Sequence, residues 1–409
     1  MCYPPGDTTA HLVSELQCLA MRRLYTGIDI GTYHVKVVIA EAGENPDMPM
    51  HIIGTGTSVS RGLRHGYIVD TKEAARSIRE ALDRASSAGK VRVRHARLAV
   101  GGVGLDEMRS MGEVNLTASG GIVTEREIER AERESQKKLA PKLVNRTVIH
   151  TIPIEFRVDG VKAFGKPHGM QGTKLAVETL LITMLTQHYE DLIGAVEGAG
   201  VEVDDVMASP LAAALVTLSK AQKTAGVILA NIGAETLSVA IFDEDTPLSI
   251  KVFPIGSNNI TESIALSFQI PLPEAEQMKR GAIIGSDIPT KRMQTLVASK
   301  LKDMYALVNA HLRSIGRHRL LPAGIVITGG GSGLTSATEI ARAILKLPSQ
   351  VGQIGNLSRT SSVDATWAVA YGLCRWAYME DAARSKYSFS DIVANGWDSL
   401  RQGMRSLLP

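Results

Sequence analysis

The strongest constraint on the fold of this chain is a strand–turn–strand pattern that occurs twice. The first copy, residues 27–41, reads GIDIGTYHVKVVIAE, and the second, residues 226–243, reads GVILANIGAETLSVAIFD. In each copy an apolar run ends in a polar residue, an Ile-Gly pair follows, and a second apolar run returns, which is typical of two strands joined by a short turn. The turn glycines, Gly31 and Gly233, are 202 positions apart (233 − 31). The repeat predicts two similar halves, each built around one hairpin.

Two glycine turns of this kind suit a nucleotide held between the halves, because glycine allows close approach and turn amides donate to anions. The pattern therefore predicts an actin-like, ATP-binding α/β protein made of two duplicated ribonuclease-H-like halves. Asp29 would hold Mg²⁺ through water, since this ion keeps most of its hydration shell. A single copy could equally be an ordinary β-hairpin, and the second copy argues against that. The predicted phosphate-binding residues of the two turns are Asp29, Gly31, Thr32, Tyr33, Asn231, Gly233, Ala234, Glu235 and Thr236.

The second turn is the less favourable of the two for phosphate. Asn231 stands where the first copy has Asp29, so it brings no charge to a metal-bound water. Glu235 would repel a phosphate unless a cation compensates for its charge. Both differences predict weaker handling of the nucleotide by the second half.

A glycine-rich segment follows the second hairpin and offers room for the base and ribose. The strand predicted at 323–328 runs into Gly329–Gly333, and a helix is predicted at 337–345. A glycine-rich turn from strand to helix exposes amide donors and leaves space for a flat ring. Many such turns carry glycine, so the position after the second hairpin is what strengthens the prediction for Gly329, Gly330, Gly331 and Leu334.

Composition excludes several classes of protein. The 409 residues are 44% hydrophobic and 21% charged, as in ordinary globular proteins of two to four domains. A net charge of +3 with 4% aromatic residues provides no basic, aromatic patch, so we expect no nucleic-acid partner. The three cysteines show no metal-ligand spacing, and their odd number favours a reducing cytoplasm. No apolar run reaches the length needed to cross a bilayer, and no serine-hydrolase or zinc-protease motif occurs.

The pattern changes at several points along the chain. Residues 102–185 combine a charged helix at 125–138 with alternating strands, which predicts an inserted α+β domain. A helix over 362–378 is predicted to close the body. The polar residues 380–388 are predicted to be a linker, and residues 1–24 an N-terminal extension without ordered structure.

The last segment of the chain has the pattern of an amphipathic helix. Its apolar stripe and its arginines suit the headgroup boundary of an anionic membrane. The alternative, a helix that packs back on its own body, is disfavoured by the preceding polar residues. The predicted membrane-contacting residues are Phe389, Ile392, Val393, Trp397, Leu400, Arg401, Met404, Arg405, Leu407 and Leu408.

Four segments carry a resemblance to a known family. They are SRGLRHGYIVD at 60–70, HTIPIEFRVDG at 150–160, MQGTKLAVETLLIT at 170–183 and AGIVITGGG at 323–331. From Leu24 to the end, the chain resembles FtsA, a family of bacterial actin-like cell-division proteins. The first three segments are more specific than the phosphate turns, which actins, heat-shock chaperones and sugar kinases share.

The resemblance implies a division of the chain into the subdomains of that family. Its inserted block would be subdomain 1C, which replaces subdomain 1B of actin. The implied boundaries are 25–102 with 184–224 for 1A, 103–183 for 1C, 225–272 with 322–379 for 2A, 273–321 for 2B, 380–388 for the linker and 389–409 for the amphipathic helix.

The resemblance also implies a function. Such a protein binds ATP and Mg²⁺, polymerises on the cytoplasmic face of the membrane at the division septum, and tethers the FtsZ ring. The tail of FtsZ would bind subdomain 2B at Lys300 and Asn309, on a helix predicted over 290–315, and other division proteins would bind 1C. The resemblance places Glu276 and Lys279 on the adenosine side, and Gly256, Ser257 and Asn258 at the ribose.

Three departures from the family bear on catalysis. The resemblance adds His34 and Lys36 to the predicted phosphate-binding residues. His34 stands where a lysine is common in the family, and Lys36, two residues on along the same strand face, would partly replace it. Ser209 occupies the usual position of the residue that orients the attacking water. Together with Asn231, these residues predict nucleotide binding with slow turnover at most, and no firm catalytic residue.

Other proteins of related fold remain as alternatives. The nearest is PilM, an adaptor of type IV pilus assembly, which should lack the terminal amphipathic helix and fits residues 60–70 poorly. A sugar kinase needs a catalytic aspartate, which Ser209-Pro210 in an alanine-rich helix does not provide. A chaperone-type ATPase would need a substrate-binding domain for which the chain has no room.

Overall fold

The computed structural model describes residues 23–43, 48–117, 120–281, 290–334, 336–355 and 363–386. The N-terminal extension up to residue 22 and the amphipathic segment 389–409, with all the predicted membrane-contacting residues, lie outside the described residues. Within the described residues, no helix is both long and apolar enough to span a membrane.

The described residues contain sixteen strands and ten α-helices. The strands are β1 (Leu24–Ile30), β2 (His34–Glu41), β3 (His51–Val59), β4 (Leu63–Arg64), β5 (Tyr67–Ile68), β6 (His95–Val100), β7 (Asp106–Asn115), β8 (Arg146–Val158), β9 (Val161–Ala163), β10 (Lys174–Leu185), β11 (Glu202–Ala208), β12 (Val227–Ile232), β13 (Leu237–Asp243), β14 (Thr246–Phe253), β15 (Gly324–Thr328) and β16 (Ser349–Val351). The helices are α1 (Thr71–Gly89), α2 (Glu125–Leu139), α3 (Thr186–Gly198), α4 (Ser209–Thr217), α5 (Lys220–Ala225), α6 (Ser257–Phe268), α7 (Leu272–Lys279), α8 (Thr290–Ser314), α9 (Ala337–Leu345) and α10 (Ala368–Lys386).

The two halves have the same sheet topology. The first sheet has the order β3-β2-β1-β6-β11 and the second the order β14-β13-β12-β15-β16. In both, the first three strands are antiparallel neighbours, and the hairpin's first strand pairs in parallel with the next strand, β6 or β15. The duplication predicted from the repeated hairpin is confirmed at the level of strand order and direction.

The two hairpin turns are also equivalent in their backbone. In each, the last residue of the first strand pairs with the residue five positions on, Ile30 with Val35 in the first copy and Ile232 with Leu237 in the second. The Gly31 N–H donates to the His34 carbonyl at 3.2 Å, and the Gly233 N–H donates to the Thr236 carbonyl, also three residues on, at 2.8 Å. A Cβ on Gly31 would lie 2.8 Å from the His34 carbonyl oxygen, so the turn requires glycine.

Residues between β6 and α3 form the inserted unit. Its sheet has the order β7-β10-β8-β9, and α2 packs across β7 and β10. Gly112 allows this close packing, because a Cβ there would collide with the Ala131 carbonyl of α2. The unit has a small core of its own, around Leu116, Ile128 and Leu175.

Helix α10 corrects two of the predicted boundaries. It follows the second half in sequence but packs on β1, β2 and β6 of the first, so assigning residues 368–379 to subdomain 2A is wrong. The linker predicted at 380–388 is wrong over 380–386, which continue the helix. Glu380 is only 4% exposed, and Asp381 accepts a hydrogen bond from the Tyr25 hydroxyl at 3.0 Å. These polar residues have partners on the first sheet, and for that reason they do not form a solvated linker.

Candidate nucleotide site

A cleft of about 630 Å³ lies between the two halves. This volume is within the usual range for small-molecule sites. The cleft is lined by both hairpin turns, the start of α6, part of α7, the glycine-rich segment and the start of α10. The predicted residues that the structure brings together here are Asp29, Gly31, Thr32, Tyr33, His34, Lys36, Ser209, Asn231, Gly233, Ala234, Thr236, Ser257, Asn258, Glu276, Lys279, Gly329, Gly330 and Leu334.

Asp29 and Lys36 are directly opposite each other in the first hairpin. Burial raises the pKa of Asp29 to about 6, and the charge of Lys36 opposes this shift. Burial lowers the pKa of Lys36, with Asp29 and Asp364 acting in the other direction. The Lys36 ammonium donates to the Thr366 carbonyl oxygen at 2.5 Å and lies 5.5 Å from the centre of the Trp367 ring. An ammonium has three protons, so Lys36 keeps donors for an anion in the cleft.

The second turn and the glycine-rich segment meet at the opposite wall. Gly329 has a left-handed φ of 82°, and a Cβ there would lie 2.7 Å from the Ile232 carbonyl oxygen. A Cβ on Gly330 or on Gly333 would meet no atom within 4 Å. The backbone of Gly330 therefore borders open space in the cleft, where a flat ring could lie.

Helix α6 begins directly against the second turn. The Ser257 N–H donates to the Gly233 carbonyl at 2.9 Å, and the Asn258 N–H to the Ala234 carbonyl at 2.8 Å. Gly256 does not line the cleft. A Cβ there would lie 2.7 Å from the Glu235 nitrogen, so this glycine allows the helix to approach the turn.

Glu276 and Lys279 bind each other within the cleft wall. The Lys279 ammonium is 2.6 Å from Glu276, 2.9 Å from the Thr261 hydroxyl and 3.2 Å from the Ser257 carbonyl oxygen. Three protein acceptors are enough for its three protons. Lys279 therefore ties α7 to α6, and its contribution to a ligand is to shape the wall.

Besides Gly256, two predicted residues, Glu235 and Gly331, are not in the cleft lining. The Glu235 carboxylate accepts the His65 backbone N–H at 2.5 Å, which turns its charge away from the predicted phosphate position. Gly331 is buried against Ile232, where a Cβ would meet the isoleucine side chain. The expected repulsion of phosphate by Glu235 therefore has no support from its position in the structure.

The short turn before α10, residues 364–367, contributes residues to the cleft that the sequence analysis did not predict. Thr366 and Trp367 lie in the cleft wall beside Lys36. Asp364 fixes this turn by accepting the Thr366 N–H at 2.9 Å and its hydroxyl at 2.6 Å. The Asp-x-Thr sequence at 364–366 is typical of a helix N-cap and could have indicated this turn. The helix predicted over 362–378 included these residues, so the cap was not recognised. Arg280 was also missed, and its guanidinium lies 5.2 Å from the Tyr33 ring across the mouth of the cleft.

The structure separates the two residues predicted to bind the FtsZ tail. Lys300 and Asn309 both belong to α8, but nine residues at 100° each place them on opposite faces of the helix. Lys300 is partly exposed and pairs with Asp303 at 3.3 Å, whereas the Asn309 side-chain oxygen is buried. One bound peptide therefore cannot contact both from one side.

Neutralising Asp29 tests the electrostatics of the cleft. The raised pKa means that the protonated carboxyl favours the folded state; this stability is complete below pH 3.8 and is lost as the pH rises through about 6. We expect the free energy of unfolding of Asp29→Asn to match that of the wild type near pH 4 and to exceed it by about 3 kcal/mol at pH 7.5 without nucleotide, since a shift of about two pKa units is worth about 1.4 kcal/mol per unit. Thermal melts across this range measure the difference. The exposed Asp303→Asn is the control, and a constant offset at all pH values would contradict the assignment.

Comparisons with known proteins identify the family. A family model for the cell division protein FtsA matches residues 228–372, and a model for the SHS2 domain inserted in FtsA matches residues 103–183. The FtsA of Bacillus subtilis is 30% identical over 344 residues, which are 79% of this chain and 77% of that protein. The chain belongs to the FtsA family of cell division proteins. The FtsA of Pseudomonas aeruginosa is 29% identical over 351 residues, covering 81% of this chain and 83% of that protein.

Solved structures show that this FtsA-family chain has the actin-like fold. The PilM–PilN type IV pilus biogenesis complex matches with a TM-score of 0.63 at 20% identity, over 86% of this chain and 98% of the other. MreB 5 of Spiroplasma citri bound to AMPPNP matches with a TM-score of 0.50 at 14% identity, over 89% and 99%. At these identities the likeness is one of fold alone. Family membership rests on sequence, and it favours cell division over the pilus adaptor.

Proposed function

We propose that this protein binds ATP with Mg²⁺ in the cleft and uses it as an assembly ligand during cell division. The observation that carries the proposal is the pair of equivalent glycine turns that face one cleft from two halves. Lys36 supplies a cation with free donors, and Gly330 borders space for the base. MreB 5, which shares the fold, was solved with AMPPNP.

The residues of the cleft fit a magnesium ion carried by phosphate. Asp29 has a pKa raised by burial, so a nearby dication would restore its charged form. Within the described residues, no group of three or more His, Cys, Asp or Glu side chains could hold a metal ion. The ion would therefore be held by phosphate oxygens and water, with Asp29 bound to one of those waters. Mg²⁺ there would neutralise charge on the phosphates.

We expect turnover to be slow. Ser209 begins α4 at the wall of the cleft and is 9% exposed, and its hydroxyl is close to Gly101. A hydroxyl here is a weaker acceptor for the proton of an attacking water than a carboxylate. Binding that favours one arrangement of the halves is then the main role of ATP.

At the membrane, we propose that the protein forms filaments on the cytoplasmic face at the septum and tethers FtsZ. The face of α8 that carries Lys300 is the proposed site for the FtsZ tail, and the inserted SHS2 unit is proposed to receive other division proteins. A single amphipathic tail with two arginines is a weak anchor. Many tails on one filament bind together with much higher avidity.

Placing a charge on the apolar stripe of the tail tests this proposal. We expect the full chain to form ATP-dependent filaments on anionic lipid monolayers, visible by negative-stain microscopy. Trp397→Glu should lower co-sedimentation with anionic vesicles at least tenfold, because it puts a carboxylate where the acyl boundary should be. Asn395→Glu adds the same charge on the polar side and should retain most binding. Undiminished sedimentation of the Trp397 variant would refute the anchor, and an absence of filaments with ATP would refute the scaffold.

A further inference from the structure

Two glutamates each reach from one half of the molecule to the backbone of the other. Glu235, in the second hairpin turn, accepts the His65 N–H of the first half at 2.5 Å. Glu107, in the unit inserted into the first half, accepts the Ile250 N–H of the second half at 2.6 Å. The two bonds thus run in opposite directions across the same boundary.

The Glu235 contact lies at the rim of the cleft. Its neighbours Ala234 and Thr236 line the cleft, as does Gly66 beside His65. His65 has a left-handed φ of 50°, and its carbonyl accepts the Val103 N–H at 3.2 Å. The β4–β5 hairpin is therefore held in place on its own half. Glu235 connects that fixed point to the second hairpin turn.

The Glu107 contact covers the outer edge of the second sheet. β14 is an edge strand, whose outward backbone groups need partners. Glu107 accepts the Ile250 N–H, and Arg109, two residues on along β7, donates to the Leu248 carbonyl at 2.6 Å. The side chains of one strand thus take the place of a partner strand's backbone.

A buried serine reinforces this second contact. The Ser249 hydroxyl is 2.8 Å from Glu107 and 2.7 Å from Nε2 of His311. Burial lowers the pKa of His311 to about 4, and Lys251 and Arg109 act in the same direction. The ring is therefore neutral near pH 7, and a donating Nε2–H lets the serine proton go to Glu107. Ser249 is fully buried, and the carboxylate contacts the serine instead of the histidine, so the three do not form a hydrolase triad.

We propose that Glu107 and Glu235 form a reciprocal clasp that holds the two halves together and slows the exchange of nucleotide in the cleft. The clasp rests on the proposed nucleotide binding. Separation of the halves must break both bonds, and a carboxylate without its donors is costly where solvent is restricted. A closed cleft releases its ligand slowly, so loss of the clasp should act mainly on dissociation.

Dissociation of a fluorescent ATP analogue from the full chain tests the proposal. We expect Glu107→Ala and Glu235→Ala each to raise the dissociation rate at least fivefold and to change the association rate less than twofold. The Gln variants, which keep an acceptor oxygen, should show smaller rises. The matched controls are Glu113→Gln, which is on β7 and pairs with Lys174 within the inserted sheet, and Glu262→Gln, which bonds Asn259 within α6. Dissociation rates equal to the wild type would overturn the clasp.

Hydrogen–deuterium exchange provides a readout without nucleotide. If both bonds break in one opening motion, loss of either should speed amide exchange at both donors. We therefore expect Glu235→Ala to speed exchange at Ile250 as well as at His65, and Glu107→Ala to speed exchange at His65 as well as at Ile250. Faster exchange confined to the residue that lost its acceptor would overturn the clasp. If the wild type binds no ATP analogue, the proposed function fails, and the exchange experiment still decides whether the two contacts are coupled.

Discussion

Gly330→Asp should weaken nucleotide binding by at least thirtyfold, about 2 kcal/mol, while the protein remains folded. A Cβ at Gly330 meets no atom within 4 Å, so the new side chain costs the fold little. The residue lies in the cleft wall, so the carboxylate would occupy the space proposed for the adenosine and would repel the phosphates. Titration of a fluorescent ATP analogue measures the loss, and a melting curve without ligand checks the fold.

A second variant at Gly330 separates the effect of side-chain size on nucleotide affinity from the effect of charge. Gly330→Asn has nearly the same volume without the charge, so we expect a smaller loss of affinity, of roughly three- to tenfold, or about 1 kcal/mol. Equal losses for both variants would show that crowding alone operates. Unchanged affinity of the aspartate variant would place the nucleotide elsewhere and would contradict the proposed site.

Glu380→Ala should destabilise the protein by about 3–5 kcal/mol, because it leaves the buried charge of Arg97 without its closest partner. The two side chains are 5% and 10% exposed and meet at 2.7 Å, and the guanidinium lies 4.7 Å from the Trp376 ring. The pair attaches α10 to the first sheet. Thermal unfolding should shift downward by about 10 °C, at about 2–4 °C per kcal/mol.

The second partner of Arg97 provides the control. Asp205 binds the other guanidinium nitrogen at 3.1 Å, but its side chain is 52% exposed. Asp205→Ala should therefore cost about 1 kcal/mol or less, since exposed ion pairs contribute little. Replacing the buried pair by two methionines should restore most of the stability. Equal effects of the Glu380 and Asp205 variants would contradict the buried-pair assignment.

Features that depend on neighbours in sequence could be predicted from the residues alone. The repeated hairpin gave both glycine turns and the duplicated halves, because strand alternation and turn chemistry are local. The glycine-rich segment gave one wall of the cleft in the same way. Local signals are weaker for β11 (Glu202–Ala208), because its acidic residues conceal the alternation of a strand.

The destination of each polar side chain was decided by the tertiary structure. The sequence around Glu380 predicts a solvated linker, but in the structure Glu380 pairs with Arg97, which is 283 residues away in the chain. The sequence predicts that Glu235 repels phosphate, but in the structure its carboxylate accepts the N–H of His65 from the first half. Lys36 gains its position from Thr366, 330 residues further along the chain. The sequence by itself thus determined the duplicated scaffold and its glycine turns, since these follow from local backbone preferences. Only the packing of the two halves decided which charges meet, because a charge is stabilised by the groups that surround it in space.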